Sequence, residues 1–163
     1  MNELVILVVE DEPDVRDQVV RDLSSFARQV RIDEAESVDD AETAIDEIRS
    51  AGDVLGLVVA DHRLPGRTGV DLLVALHAAA TVPRIRTVLL TGQAGHQDTI
   101  RAINEAGLDH YLAKPWDPDE LVAVARNLLT DVVIDSSLDP LRFVPDLDGP
   151  RLLDAYARQG RAD

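Results

Sequence analysis

Two hydrophobic periods alternate along the chain. Leu4 to Val9 (LVILVV) is a short unbroken apolar run rich in branched residues, the pattern of a strand buried on both faces. Val15, Val19, Leu23, Phe26 and Val30 then recur at helical spacing behind Pro13, which suits a first helical turn. The cycle repeats four more times. Val30 to Ala35 predicts a weaker strand, and Ser37 with Asp40 predicts a capping box for a helix striped by Val38, Ala41, Ala44, Ile45 and Ile48. Leu55 to Ala60 predicts a third strand, followed by a helix carrying Val70, Leu73, Leu76 and Ala80. Arg86 to Thr91 predicts a fourth strand, followed by a helix with Ile100, Ile103 and Ala106 that Gly107 closes. Leu108 to Ala113 predicts a fifth strand, and Leu121, Val124, Ala125, Leu128 and Val132 share one face of a fifth helix.

Five strands alternating with five helices imply a parallel sheet covered on both faces. Right-handed crossovers and a length of 163 residues favour a doubly wound α/β sheet over a barrel, which needs about 250. Binding sites in such sheets lie at the carboxyl ends of the strands, where the strand order reverses.

Composition narrows the chemistry. With 31 acidic and 16 basic residues the net charge is -15, and no basic cluster offsets it, so direct DNA binding is not expected. There is no cysteine, hence no disulfide or thiolate chemistry. No apolar run approaches a membrane span, and the N-terminus lacks the features of a signal peptide, so a cytoplasmic location is expected.

At the predicted strand ends stand Glu10, Asp11 and Glu12 after strand one, Asp61 after strand three, Thr91 and Gly92 at strand four, and Lys114 with Pro115 after strand five. Each has an ordinary reading taken alone: a solvated loop, a turn former, a helix cap, a surface lysine. Together they bring carboxylates, a hydroxyl and an ammonium to one rim. Clustered carboxylates raise one another's pKa unless a hard cation sits between them, and magnesium suits a few carboxylates plus phosphate oxygens. An added hydroxyl and ammonium fit a phosphoryl group, and Asp61 is the candidate to accept one as an acyl phosphate.

The segments "VVEDEPDVR" (8 to 16), "VVADHRLPGRTGVDLL" (58 to 73), "VLLTGQ" (88 to 93) and "YLAKPWD" (111 to 117) occur in order at these ends. With them, residues 3 to 133 resemble the receiver domain of two-component response regulators. The resemblance implies a flavodoxin-like (CheY-like) sheet of order 2-1-3-4-5. It further implies that Asp61 is the phosphoacceptor for a sensor histidine kinase or phosphotransfer protein. Glu10, Asp11, Asp61 and the backbone carbonyl of Arg63 would hold Mg²⁺, Thr91 and Lys114 would contact the phosphoryl group, and Tyr111 would switch rotamer as Thr91 moves. It also suggests a cis Lys114–Pro115 bond that turns the lysine toward the rim. The expected activity is signalling through contacts with an output protein rather than enzymatic turnover, with the fourth helix and fifth strand as the bistable element.

Two other classes stand beside this one. A degenerate receiver would use the same fold as a constitutive interaction module, and the intact Asp11, Asp61, Thr91 and Lys114 speak against it. A Mg²⁺-dependent phosphatase would want an acid two residues after Asp61, where Arg63 stands. In the resemblance Arg63 and Gln93 stand where a side chain could tune the lifetime of an acyl phosphate, while Arg63 reads equally as a solvent-pointing cation balancing the acidic rim; Gly92 either leaves room beside the site or is simply a helix-entry glycine. His62, His77, His96 and His110 have no metal-ligand spacing; His62, beside Asp61, is the one of interest. Trp116 either packs against the fifth helix or joins Tyr111 in an exposed surface.

Residues 134 to 163 fall outside the resemblance. They are acidic and hold Pro140, Pro145 and Pro150, yet Leu141, Phe143, Val144, Leu152, Leu153 and Tyr156 are more apolar than a solvated tail needs, and a short helix is expected near 150–158. Packing on the body, a homodimer contact, or the start of a further domain of a longer regulator all fit. A homodimer through the face of helix four, strand five and helix five fits equally.

Overall fold

A computed structural model describes residues 2–92 and 96–162, with the side chains of 96, 98, 161 and 162 left aside. The strands are β1 (Leu4–Val9), β2 (Val30–Ala35), β3 (Val54–Asp61), β4 (Arg86–Thr91) and β5 (His110–Ala113). They form one sheet in the order β2-β1-β3-β4-β5, every neighbouring pair parallel. The helices are α1 (Pro13–Asp22), α2 (Val38–Ser50), α3 (Gly69–Ala78), α4 (His96–Glu105), α5 (Pro118–Asp135) and α6 (Gly149–Ala162). The expected doubly wound α/β sheet is therefore observed, and α6 is added to it.

The central strands β1, β3 and β4 alternate their side chains between two apolar layers. Leu4, Ile6 and Val8 of β1 and Leu57 and Val59 of β3 pack under α1 and α5, whereas Val5, Leu7, Val9 and Val58 pack under α2 and α3. β1 and β4 are buried along their whole length, which explains why their sequences carry apolar side chains on both faces.

Several boundaries differ from the sequence reading. α1 stops at Asp22, and Ser24–Phe26 continue as a 3-10 turn, so Leu23 and Phe26 stay buried at i, i+3 spacing outside the α-helix. Ser37 does cap α2 through the Asp40 N–H (3.0 Å), but the Asp40 carboxylate takes the N–H of Glu36 (3.0 Å), so the reciprocal half of the box is displaced by one residue. The complete box belongs to Thr68 and Asp71 at the start of α3. α3 ends at Ala78, two residues before Ala80, which has φ 49°. β5 begins at His110 rather than Leu108, because the Asp109 carboxylate takes the Thr87 N–H (2.8 Å) and the Arg84 guanidinium in place of a strand pairing.

The segment after α5 packs on the body. A 3-10 turn (Pro140–Phe143) and α6 place Leu138, Phe143, Leu147 and Leu152 in the same apolar cluster as Leu4 and Leu129. Arg142 reaches the carbonyl of Asn2 (2.7 Å), and Arg151 bonds Asn127 (2.9 Å) and Asp131 of α5. α6 runs from 149 to 162, longer than the expected 150–158.

Candidate functional site

Three strand ends converge because their hydrogen-bond ladder runs one residue past each strand. The Glu10 N–H donates to the Ala35 carbonyl (3.0 Å), the His62 N–H to the Leu90 carbonyl (3.0 Å), and the Lys114 N–H to the Thr91 carbonyl (2.9 Å). The residues that carry the chemistry are thus set on rigid strand termini rather than on free loops.

Asp61 is 5% exposed and Glu10 1% exposed, whereas Asp11 faces solvent. Oxygen atoms of these three carboxylates all lie within 4.8 Å of one another, and no other group of three or more His, Cys, Asp or Glu does so among the described residues. The Lys114 Nζ sits 3.1 Å from Asp61 Oδ2 and 3.7 Å from Glu10 Oε2. The Lys114–Pro115 bond is cis, as the resemblance suggests.

Burial, first, and then the neighbouring Asp61 carboxylate push the Glu10 pKa up to about 8, against the pull of Lys114. With both acids ionised, the buried Oε2 of Glu10 has no hydrogen-bond donor. The neutral acid, by contrast, has a proton that Asp61 can accept. An orphaned buried acceptor among three hard oxygen donors, with no histidine or cysteine in the group, is a donor set that fits Mg²⁺.

Thr91 is buried at the end of β4, next to Ala113 in register, and Tyr111 lies half-exposed on β5 opposite Leu89. Arg63 is exposed in the loop after β3. Gln93 falls outside the described residues, as does the side chain of His96. At Gly92 a first side-chain carbon would meet nothing within 4 Å, so the expected room beside this glycine is present. Of the other histidines, His77 lies under Gly107, where an added Cβ would come within 2.7 Å of the ring, and His110 stands 3.9 Å from Glu120. His62 is buried beside Asp61.

One contributor, Arg16, was not read from the sequence, and the structure gives Gly69 and Trp116 definite roles. Arg16 of α1 donates to the Glu10 carbonyl (2.9 Å) and pairs with Glu34 (3.4 Å), holding the acidic segment from behind. Its position within "VVEDEPDVR" was the available signal. Gly69 allows α3 to start against the strand end: an added Cβ would lie 2.1 Å from the Asp61 carbonyl oxygen. Trp116 packs against the α1–α5 layer and donates its indole N–H to Asp22 (2.7 Å), which decides its role in favour of packing.

Comparison with known proteins agrees with this geometry. Residues 6–126 match the family model of the response regulator receiver domain. The chain is 34% identical over 155 residues to the transcriptional regulatory protein AruR of Pseudomonas aeruginosa, a match covering 94% of this chain and 61% of that protein. It is 36% identical over 118 residues to the phosphate regulon transcriptional regulatory protein PhoB of Klebsiella pneumoniae, covering 72% and 48%. The chain thus spans less than two thirds of these curated relatives.

Among solved structures, the signal receiver domain of an HD domain-containing protein from Pseudomonas fluorescens superposes with a TM-score of 0.70 at 27% identity. That match covers 80% of this chain and 98% of that one. The receiver domain of NtrX from Brucella abortus superposes with a TM-score of 0.63 at 30% identity, covering 76% and 97%. Sheet order, acidic rim and family match coincide, and the chain belongs to the response regulator receiver domains of two-component systems.

Proposed function

We propose that Asp61 accepts a phosphoryl group from a sensor histidine kinase or phosphotransfer protein, and that the chain, a cytoplasmic protein, then signals by contact with an output protein. In the transfer an Asp61 carboxylate oxygen bonds to phosphorus, the phosphorus–nitrogen bond of the donor phosphohistidine breaks, and the departing imidazole keeps the electron pair and takes a proton. Glu10, Asp11, Asp61 and the Arg63 carbonyl would hold Mg²⁺, which when bound neutralises charge on the incoming phosphoryl oxygens. Lys114 supplies a second counter-charge, and Thr91 a hydroxyl at the end of the neighbouring strand. The observation that carries the reading is the Lys114 ammonium 3.1 Å from a buried Asp61 whose companion, Glu10, has one buried oxygen, Oε2, with no hydrogen-bond donor.

Residues 3–133 act as the receiver and 134–163 as its extension. Movement of Thr91 and Lys114 toward a phosphoryl group biases α4 and β5, where Ile100, Ile103 and Tyr111 are 44%, 53% and 50% exposed and form the surface for an output partner or a second copy. A decisive shift requires on the order of 5 kcal/mol of differential stabilisation, within reach of a dianion set among these charges. No described helix is long and apolar enough to cross a membrane.

Incubation with Mg²⁺ and acetyl phosphate, followed by intact-mass measurement, tests the reading. One adduct of about 80 Da, absent from Asp61→Asn, is expected. No adduct would leave a constitutive interaction module, and continued turnover of a phosphoester would mark a phosphatase.

A further inference from the structure

Lys114 is the chain's one lysine and Trp116 its one tryptophan. The segment between β5 and α5 that carries them is pinned at both ends. The Lys114 N–H bonds the Thr91 carbonyl (2.9 Å), and the Asp117 side chain caps α5 by accepting from the Asp119 N–H (2.9 Å). Between these points the only side chain that turns inward is the half-buried Trp116, whose ring lies on the α1–α5 layer.

Its indole N–H ends on the carboxylate of Asp22, 94 residues away in sequence. Asp22 is the last residue of α1, where the carbonyl end of the helix disfavours a negative charge. It is held there by donors on both oxygens: Gln18 on Oδ1 and Trp116 on Oδ2, each at 2.7 Å. Gln18 in turn accepts from Arg21 (3.0 Å). A carboxylate at an unfavourable helix end, oriented so that one oxygen meets a ring from another element, is a fixed attachment point for that element.

We propose that Asp22 is a positioning residue for Lys114: through the Trp116 indole it ties the β5–α5 segment to α1 and so fixes the origin of the lysine side chain that reaches Asp61. The proposal rests on the reading that Lys114 serves the Asp61 site. A lysine stem is long and flexible, so its ammonium is held only as well as its backbone. Loss of the tether spreads the ammonium over more positions and leaves it less time in contact with the buried carboxylates.

Because Lys114 is the single lysine, amine-directed acylation followed by peptide mass analysis reads its side chain alone, in magnesium-free buffer and without any phosphoryl chemistry. Asp22→Ala and Trp116→Phe are expected to acylate at Lys114 at least about threefold faster than the parent chain, since each removes a charge-assisted hydrogen bond. Asp22→Asn retains an acceptor oxygen and is expected to return near the parent rate, which a generally loosened fold would not produce. Phosphorylation by acetyl phosphate is expected to slow in the order set by acylation. Trp116→Phe removes the indole N–H but keeps an aromatic ring on the α1–α5 layer, so the comparison survives if Asp22→Ala fails to fold. Equal acylation in the parent and Trp116→Phe overturns the proposal. Faster acylation in a chain that takes no phosphoryl group supports the tether and removes the phosphoacceptor reading instead.

Discussion

A carboxyl that is 1% exposed and set against a second carboxylate is costly to ionise, and Glu10 bears that cost. Its pKa rises from 4.5 to about 8, so between those values the folded chain retains a proton that the unfolded chain has shed. The associated stability is complete below the lower value and drains away as pH rises toward 8. In chelator, urea unfolding is expected to show a loss on the order of a few kcal/mol over that interval, and Glu10→Gln to flatten the profile. Adding Mg²⁺ at pH 8 is expected to restore most of the loss, because the cation then balances the charge. A profile for the parent chain as flat as that of Glu10→Gln would contradict the assignment. The positions of Glu10, Asp11, Asp61, Thr91 and Lys114 were legible in the sequence because parallel strands deliver their last residues to one rim. The inward turn of Glu10 was not, since the string Glu10-Asp11-Glu12 reads as uniformly solvated. Its direction depends on the Ala35 carbonyl and Arg16, both supplied by other elements.

At the scale of elements, the start of α3 is fitted to the end of β3 with no room for a side chain. Gly69→Ala would put a carbon 2.1 Å from the Asp61 carbonyl oxygen, which only a backbone shift can relieve. The expected result is a stability loss of about 2 kcal/mol or more together with slower phosphoryl uptake at Asp61. Gly66, with φ 77° and open space around it, makes the matched comparison. Gly66→Ala is expected to cost roughly 1 kcal/mol through the backbone alone and to leave phosphoryl uptake nearly unchanged. Equal uptake in both variants would separate Gly69 from the site. Element boundaries show why sequence patterns run short here. The stripe Val19, Leu23, Phe26 persists across a change from α-helix to 3-10 turn, because i, i+3 spacing serves both. Leu108 and Asp109 look like the start of a strand, yet a side-chain carboxylate takes the place of the backbone pairing.

For the molecule as a whole, the alternation of periods made the five-stranded sheet legible, and the resemblance supplied its order. The last thirty residues were legible as too apolar for solvent and as holding a short helix, with packing on the body as one of several readings. Of the residues singled out there, Phe143 and Leu152 are fully buried, whereas Leu141, Leu153 and Tyr156 stay exposed; Leu138 and Leu147, not singled out, fill the remaining space. Phe143→Ala is expected to destabilise the whole chain by about 3–5 kcal/mol, because its ring shares a core with β1 and α5. Denaturation that stayed cooperative with an unchanged midpoint would show instead that the extension folds separately.

The family match ends at residue 126, inside α5, while the apolar core it belongs to continues to Leu152. What the family model recognises is therefore smaller than the unit this core makes, and the match to AruR, which covers 94% of the chain, takes in more than those residues. A fragment trimmed to the matched residues would sever a helix and bare the seat of Phe143, so its stickiness would report the trimming rather than the signalling state. Experiments on assembly or activation are interpretable only on a chain that keeps this last layer.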